Sequence, residues 1–146
     1  MAVNSLCERY HICESVNSNT LSCLHALEHF GLGRYGDPVD PDGWRKALIA
    51  FKRIIALNGT LYLSVPVGVP ETVMFNAHRI FDPFTIISGL YPTLRIKEFA
   101  LIHDCQLYVF KFEDTASINT INDTIDNIRL KYMGSYDCGI FTFVKS

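Results

Sequence analysis

Apolar and polar positions along this chain follow two periods, and the switch between them marks a strand–helix–strand unit. Thr20 to Leu24 is a short β-type run that turns abruptly polar at His25, Glu28 and His29. From Trp44 to Leu57, apolar residues recur at 44, 47, 48, 51, 54 and 55. That is helical spacing, and Arg45, Lys46, Lys52 and Arg53 lie mostly off the apolar face. Asp40 is the expected cap, with Pro41 at the first helical position, where a missing N–H costs nothing. Asn58-Gly59 is the expected stop, since either residue tolerates the left-handed conformation. Thr60 to Val65 (TLYLSV) is apolar at nearly every position and rich in β-formers, which suits a strand buried on both faces.

The remaining elements follow from the same signals. Asp82-Pro83 predicts a capped helix over Pro83 to Leu90. Leu94 to Ile102 and Leu107 to Phe112 read as strands joined by a hairpin turn, His103-Asp104-Cys105-Gln106. Ile118, Ile121, Ile125 and Ile128 place a helix over Ser117 to Tyr132, despite Thr and Asn being poor helix formers. Gly139 to Val144 is a closing strand. Residues 1–18 read as an irregular arm, with Tyr10 to Cys13 either a short strand or part of that arm. The domain proper is expected over 19–146.

A strand–helix–strand unit has parallel strands and a right-handed crossover. In such sheets ligands sit beyond the carboxyl ends of the strands. The first strand delivers His25 through Asp37 to that rim. The second delivers Pro66 through Arg79, including Glu71, Asn76 and His78. Two polar loops far apart in sequence are therefore expected side by side.

Composition narrows the function. The chain has 146 residues, 49% apolar and 19% charged, which suits one domain with a real core. Thirteen basic against 15 acidic residues give a net charge of -2, which argues against a nucleic-acid footprint. Apolar runs fall short of the ~20 residues a membrane helix needs, and the start lacks a basic-then-apolar leader. A cytoplasmic protein that binds neither nucleic acid nor membrane is expected. The five cysteines form no Cys-x-x-Cys pair, and their odd number points to free thiols.

Two literal motifs fall in the loop after the first strand. Gly31 to Gly36 spells G-x-G-x-x-G, but Asp37-Pro38 follows where a dinucleotide site needs a helix to open directly. Lys52 and Arg53 stand where the ribose-binding acid belongs. The motif therefore reads as a turned loop. His25 to His29 spells H-x-x-E-H, which on a helix would bind zinc through both imidazoles with Glu28 as general base. The strand-like residues before it and the glycines after it leave room for about one helical turn, and no third ligand is evident. Zinc hydrolysis by His25, Glu28 and His29 is the least favoured alternative, and no metal is expected.

The remaining candidates follow from side-chain chemistry. His29 and His78 are candidate general bases, since imidazole titrates near neutrality. Glu28 can orient an imidazole or an acceptor, or pair with Arg34. Arg34 and Arg79 can clamp an anion or pair with Asp37 and Asp82. Tyr35, Asp37 and Asn76 complete the candidate substrate-binding set on these two loops. Cys23 lies in an apolar strand where thiolate is disfavoured. Trp44, Phe51 and Tyr62 are expected in the core, and His25 is expected to be buried.

The run S-x-L-H-x-x-E-H-x-G, followed by an Asp-Pro turn, a helix, a Gly-containing turn and an apolar strand, resembles the C-terminal half of class I S-adenosylmethionine-dependent methyltransferases. More narrowly, LSCLHALEHFGLGRYGDPVDPDG, YLSVPVG and FNAHRIFDP look like an uncharacterised family catalogued as domain of unknown function 268. The likeness covers about Ser18 to Ser146. It implies an α/β fold: a partial Rossmann-like sheet, parallel at its start and antiparallel at its edge. It also implies methyl transfer from S-adenosylmethionine, with Leu24 and His25 facing the cofactor and His29, His78 and Glu28 serving catalysis. The acceptor would be a small molecule or a glycan. Such enzymes hold the cofactor through a glycine-rich loop and an acidic residue upstream of the matching region, and here no glycine precedes Gly31. The expectation is therefore a shortened domain, inactive alone, whose partner is the missing half or a second copy. The competing reading is a non-catalytic module that pairs through an exposed sheet edge.

Overall fold

The computed structural model describes residues 17–34, 36, 38–74 and 77–146. Most of the expected N-terminal arm, including Tyr10 to Cys13, lies outside the described residues, as do Tyr35, Asp37 and Asn76.

The described chain is α/β. Strand β1 (Ser18–Leu24) leads through a 3-10 turn (Leu27–His29) and a loop to α1 (Gly43–Ile54) and β2 (Ile55–Val67). A short hairpin, β3 (Thr72–Val73) and β4 (Arg79–Ile80), precedes α2 (Pro83–Leu90). Then come β5 (Leu94–His103), β6 (Gln106–Lys111), α3 (Ile118–Tyr132) and β7 (Asp137–Lys145). The main sheet has the order β1-β2-β7-β5-β6. β1 and β2 are parallel, and every other pair in it is antiparallel. This is the expected sheet, parallel at its start and antiparallel towards its other edge.

Most elements form where the pattern put them. Asp82 caps α2 by accepting the Phe84 N–H at 2.8 Å, with Pro83 at the first turn. Ser117 caps α3 by accepting the Thr120 N–H at 3.1 Å. The β5–β6 turn has Asp104 at φ 47° and Cys105 at φ 61°, the left-handed pair whose twist suits a two-residue hairpin.

Four expectations change. Helix α1 begins at Gly43, with Asp42 rather than Asp40 at its cap. Asp40 instead accepts the Asp42 N–H at 3.1 Å and binds Lys46 at 2.6 Å, so its carboxylate closes the preceding turn. At its other end α1 stops at Ile54, and β2 starts at once. Asn58 does take the left-handed conformation (φ 62°), but within β2, where the register with β1 slips between Ser18 and Thr20. Third, β2 is buried on both faces only from Leu63 to Val67, and on one face nearer its start. Leu61, Leu63, Val65 and Val67 are fully buried with Phe99, Leu101, Phe141, Phe143 and the inner residues of all three helices. Tyr62, on the other face, is 42% exposed and not a core residue. Trp44 and Phe51 are core residues as expected. Each fully buried Leu, Ile or Phe in this cluster contributes roughly 1.5–3 kcal/mol. Fourth, the β3–β4 hairpin was not foreseen. It is anchored by Phe81 N–H to Pro66 O at 2.9 Å and Gly68 N–H to Phe81 O at 3.0 Å.

The glycine-punctuated loop is a closed turn. Leu32 bridges Val39, and the Asp40 N–H donates to Gly31 O at 2.9 Å. Gly31 sits at φ 73°, and a Cβ there would lie 1.8 Å from Asp40 O, so no other residue fits without moving the loop. A dinucleotide loop opens straight into its helix; this one folds back on itself first.

Candidate functional site

The sheet brings four strand ends to one rim. β1 and β2 run the same way, so the loops after Leu24 and Val67 emerge together. β7 runs against β2, pairing Val67 with Asp137, and β5 runs against β7, pairing Ile102 with Cys138. The start of β7 and the end of β5 therefore join the same rim. His25, His29, His78 and His103, all the histidines of the described residues, lie there.

Glu28 is the centre of the first cluster. The short turn after β1 drops its side chain inward, leaving it 3% exposed. Its Oε1 lies 3.3 Å from His25 Nδ1 and 3.8 Å from His29 Nε2. Its Oε2 is buried and has no hydrogen-bond partner among the described residues. The His29 Nδ1–H donates to Ala77 O at 2.9 Å, which fixes the ring and directs Nε2 to the carboxylate. Arg34 donates to the same carbonyl, also at 2.9 Å. Ala77 thus ties the two polar loops together, as the topology required.

His78 stands next to this cluster. Its ring is 6.3 Å from that of His29 and 5.4 Å from Tyr136. Its Nε2 is buried without a partner among the described residues. Buried polar atoms are nearly always satisfied, so two orphaned atoms in one cluster call for an explanation.

The segment Gly134 to Cys138 passes along the rim and touches three histidines. Cys138 Sγ is 3.4 Å from His25 Nε2, and Tyr136 faces His78. Asp137 Oδ1 accepts from His103 Nδ1 at 2.7 Å, while its Oδ2 accepts the Gly134 N–H at 2.6 Å. That hydrogen bond, with the Asp137 and Asp104 charges, holds the His103 pKa above its ordinary value against a smaller opposing effect of burial. Sequence reasoning missed Tyr136, Asp137, Cys138 and His103 as rim residues. The available signal was the closing strand itself: run antiparallel to β2, it must start where β2 ends.

The predicted residues divide as follows. Glu28, His29 and His78 come together. Leu24 is 60% exposed at the end of β1. His25 is not buried: its side chain is 51% exposed, because its left-handed backbone (φ 48°) turns the ring out from the strand. Its N–H is held by Ser64, by the carbonyl at 2.9 Å and by Oγ at 3.2 Å. Glu28 pairs with imidazoles rather than with Arg34. Arg79 is buried with its guanidinium donating to Phe30 O, and Asp82 pairs with Arg129 instead of Arg79. Burial pushes the Cys23 thiol up to about 11, consistent with its expected inertness. H-x-x-E-H folds as a 3-10 turn, so its imidazoles do not share the α-helical face that the zinc pattern needs. No group of three or more His, Cys, Asp or Glu among the described residues is placed to hold a metal.

No helix among the described residues is long and apolar enough to cross a membrane. No curated protein sequence matches the chain. Among solved structures, it is similar to a SAM dependent methyltransferase from Archaeoglobus fulgidus, with a TM-score of 0.48 and 16% identity. That likeness covers 95% of this chain and 64% of the archaeal one, so this chain spans less than two thirds of its length. Residues 14–100, more than half of the sequence and including both loops of the rim, match the family described as Caenorhabditis protein of unknown function, DUF268. The turn that buries Glu28 and the loop that requires Gly31 lie inside that match, and the chain belongs to this family.

Proposed function

We propose that this rim is the reaction edge of a methyltransferase-like domain acting on a hydroxyl-bearing acceptor. The observation that carries the reading is the buried Glu28 carboxylate, one oxygen turned to His25 and His29 and the other without a donor. His78, whose Nε2 also has no partner among the described residues, stands 6.3 Å ring to ring from His29. A buried acceptor without a donor is costly, and it is relieved when a ligand brings one. The S-x-L-H-x-x-E-H-x-G resemblance supports the same reading.

The residues present suit one side of a cofactor site. Leu24 offers exposed apolar surface at the strand end, and His25 stands beside it half exposed. S-adenosylmethionine, when bound, would supply an electrophilic methyl group. Glu28 is a positioning residue that holds the imidazoles. His78 and His29 are the groups that take the acceptor's proton.

Titration calorimetry of S-adenosylmethionine and S-adenosylhomocysteine into the 146-residue chain tests this, with histidine ring resonances recorded in parallel. Micromolar binding that shifts His25, His29 and His78 while leaving His103 in place supports it. No binding up to millimolar concentration, or shifts confined to His103, removes it.

A second reading rests on the sheet edge. Among the described residues β1 has a strand neighbour on one side only, and Ser18–Leu24 carries no charge to blunt it. Such an edge invites a further strand, and the occupant proposed is a second copy of this chain. Light scattering at micromolar concentration should report a dimer; a monomer counts against it.

A further inference from the structure

Between the Gly31 loop, the start of α1 and the β3–β4 hairpin is a cavity of about 410 Å³ with no histidine in its lining. Leu32, Val39 and Val73 line it with Trp44, and Arg79 and Arg45 supply its cations. Arg79 is the unusual member. It is 6% exposed, and its guanidinium donates to Phe30 O. No carboxylate among the described residues forms an ion pair with it. Arginine is seldom buried without such a partner, because an uncompensated charge away from water is expensive.

The surrounding charges do not fill the gap. Asp40 is the acid that Arg79 senses, but it is committed to Lys46 at 2.6 Å. Arg45 adds like charge: it lies over the Trp44 ring at 4.4 Å and is bound to Asp42 at 2.7 Å. Glu71 lines the cavity too, yet its carboxylate accepts from Thr85 at 2.8 Å and is not paired with Arg79. Burial first, and then the Arg45 charge, hold the Arg79 pKa below its usual value against a smaller opposing effect of Asp40.

We infer that this cavity binds an organic anion, with Arg79 holding an oxyanion head and Leu32, Val73 and Trp44 receiving an apolar body. The guanidinium fork matches a carboxylate or a phosphate through paired N–H donors, so the head is one of these two. The site does not depend on methyl transfer: no histidine and no cofactor takes part in it.

Trp44 is the chain's single tryptophan and forms part of the wall, so its fluorescence reports occupancy directly. Hexanoate, hexyl phosphate and hexanol are titrated into the full chain. A saturable change with either anion, at least about tenfold tighter than with hexanol, is expected; whichever anion binds more tightly identifies the head group. Arg79→Met should weaken anion binding about tenfold or more and leave hexanol unchanged. Val39, 78% exposed at the mouth, provides a variant that leaves the fold alone. Val39→Glu should weaken the anions several-fold, and Val39→Lys should strengthen them. Binding of both anions no tighter than hexanol overturns the inference, as does indifference of both anions to the charge at position 39. A failure to bind S-adenosylmethionine has no bearing on it.

Discussion

Two histidine–carboxylate pairs stand at the same end of this sheet, and they are built differently. Asp137 and Glu28 are almost equally buried, with side chains 4% and 3% exposed. Asp137 spends both oxygens, one on His103 and one on the Gly134 N–H. Glu28 turns one oxygen to two imidazoles at 3.3 and 3.8 Å and leaves the other without a partner among the described residues. The first arrangement is complete and holds the 134–138 loop against β5. The second is incomplete and is held in place by the backbone of the turn around it. A satisfied buried carboxylate reads as structure, and an unsatisfied one as a site waiting for a donor.

That contrast is open to test. The largest effect is expected from Asp137→Ala, which leaves the Gly134 N–H and His103 Nδ1 without their acceptor. It should destabilise by about 2 kcal/mol, discounted because His103 is partly exposed. Urea unfolding of the wild type and variant measures it. Glu28→Gln should cost less, within about 1 kcal/mol of wild type, because it removes a buried charge whose second oxygen has no partner. The same variant should abolish the response of His25 and His29 to S-adenosylhomocysteine. If Glu28→Gln proves more destabilising than Asp137→Ala, Glu28 is the structural member of the two and the distinction collapses.

The smallest effect is a pH dependence confined to one pair. His103 has its folded pKa raised above the ordinary 6.5, chiefly by its hydrogen bond to Asp137. Its stabilising contribution is therefore fully present below about pH 6.5 and is lost as pH rises through the raised folded value. NMR titration should find His103 titrating above that ordinary value, and Asp137→Asn should return it towards 6.5. A His103 that titrates at its ordinary value with Asp137 intact would show that the pair is not formed in solution.

Much of the fold was legible because it depends on local spacing. The apolar face of α1, the Asp82-Pro83 start of α2, the Ile118 to Ile128 repeat of α3 and the β5–β6 hairpin all announce themselves within about fifteen residues. The parallel β1–β2 pair followed too, and with it the meeting of the His29 and Ala77 loops. Element ends were less legible. Asn58-Gly59 carries a stop signal, but pairing of Ile55 with Ser18 starts the strand before the stop is reached. The cap at Asp40 lost to a turn in which its carboxylate reaches Lys46, a competition among neighbours that no single residue reveals.

By itself the sequence determined most of the secondary structure, the α/β class, the family and the placing of Glu28, His29 and His78 on one rim. Each of these follows from periodicity or from residues close together in the chain. Only the tertiary structure decided which strands flank β2, and so brought Asp137, Cys138 and His103 to the same rim from the far end of the chain. It also left Arg79 buried beneath the Gly31 loop with no ion pair among the described residues. Those outcomes depend on long-range antiparallel pairing and on which charges find partners once the loops close. Both are settled by packing across the whole sheet rather than by any local pattern.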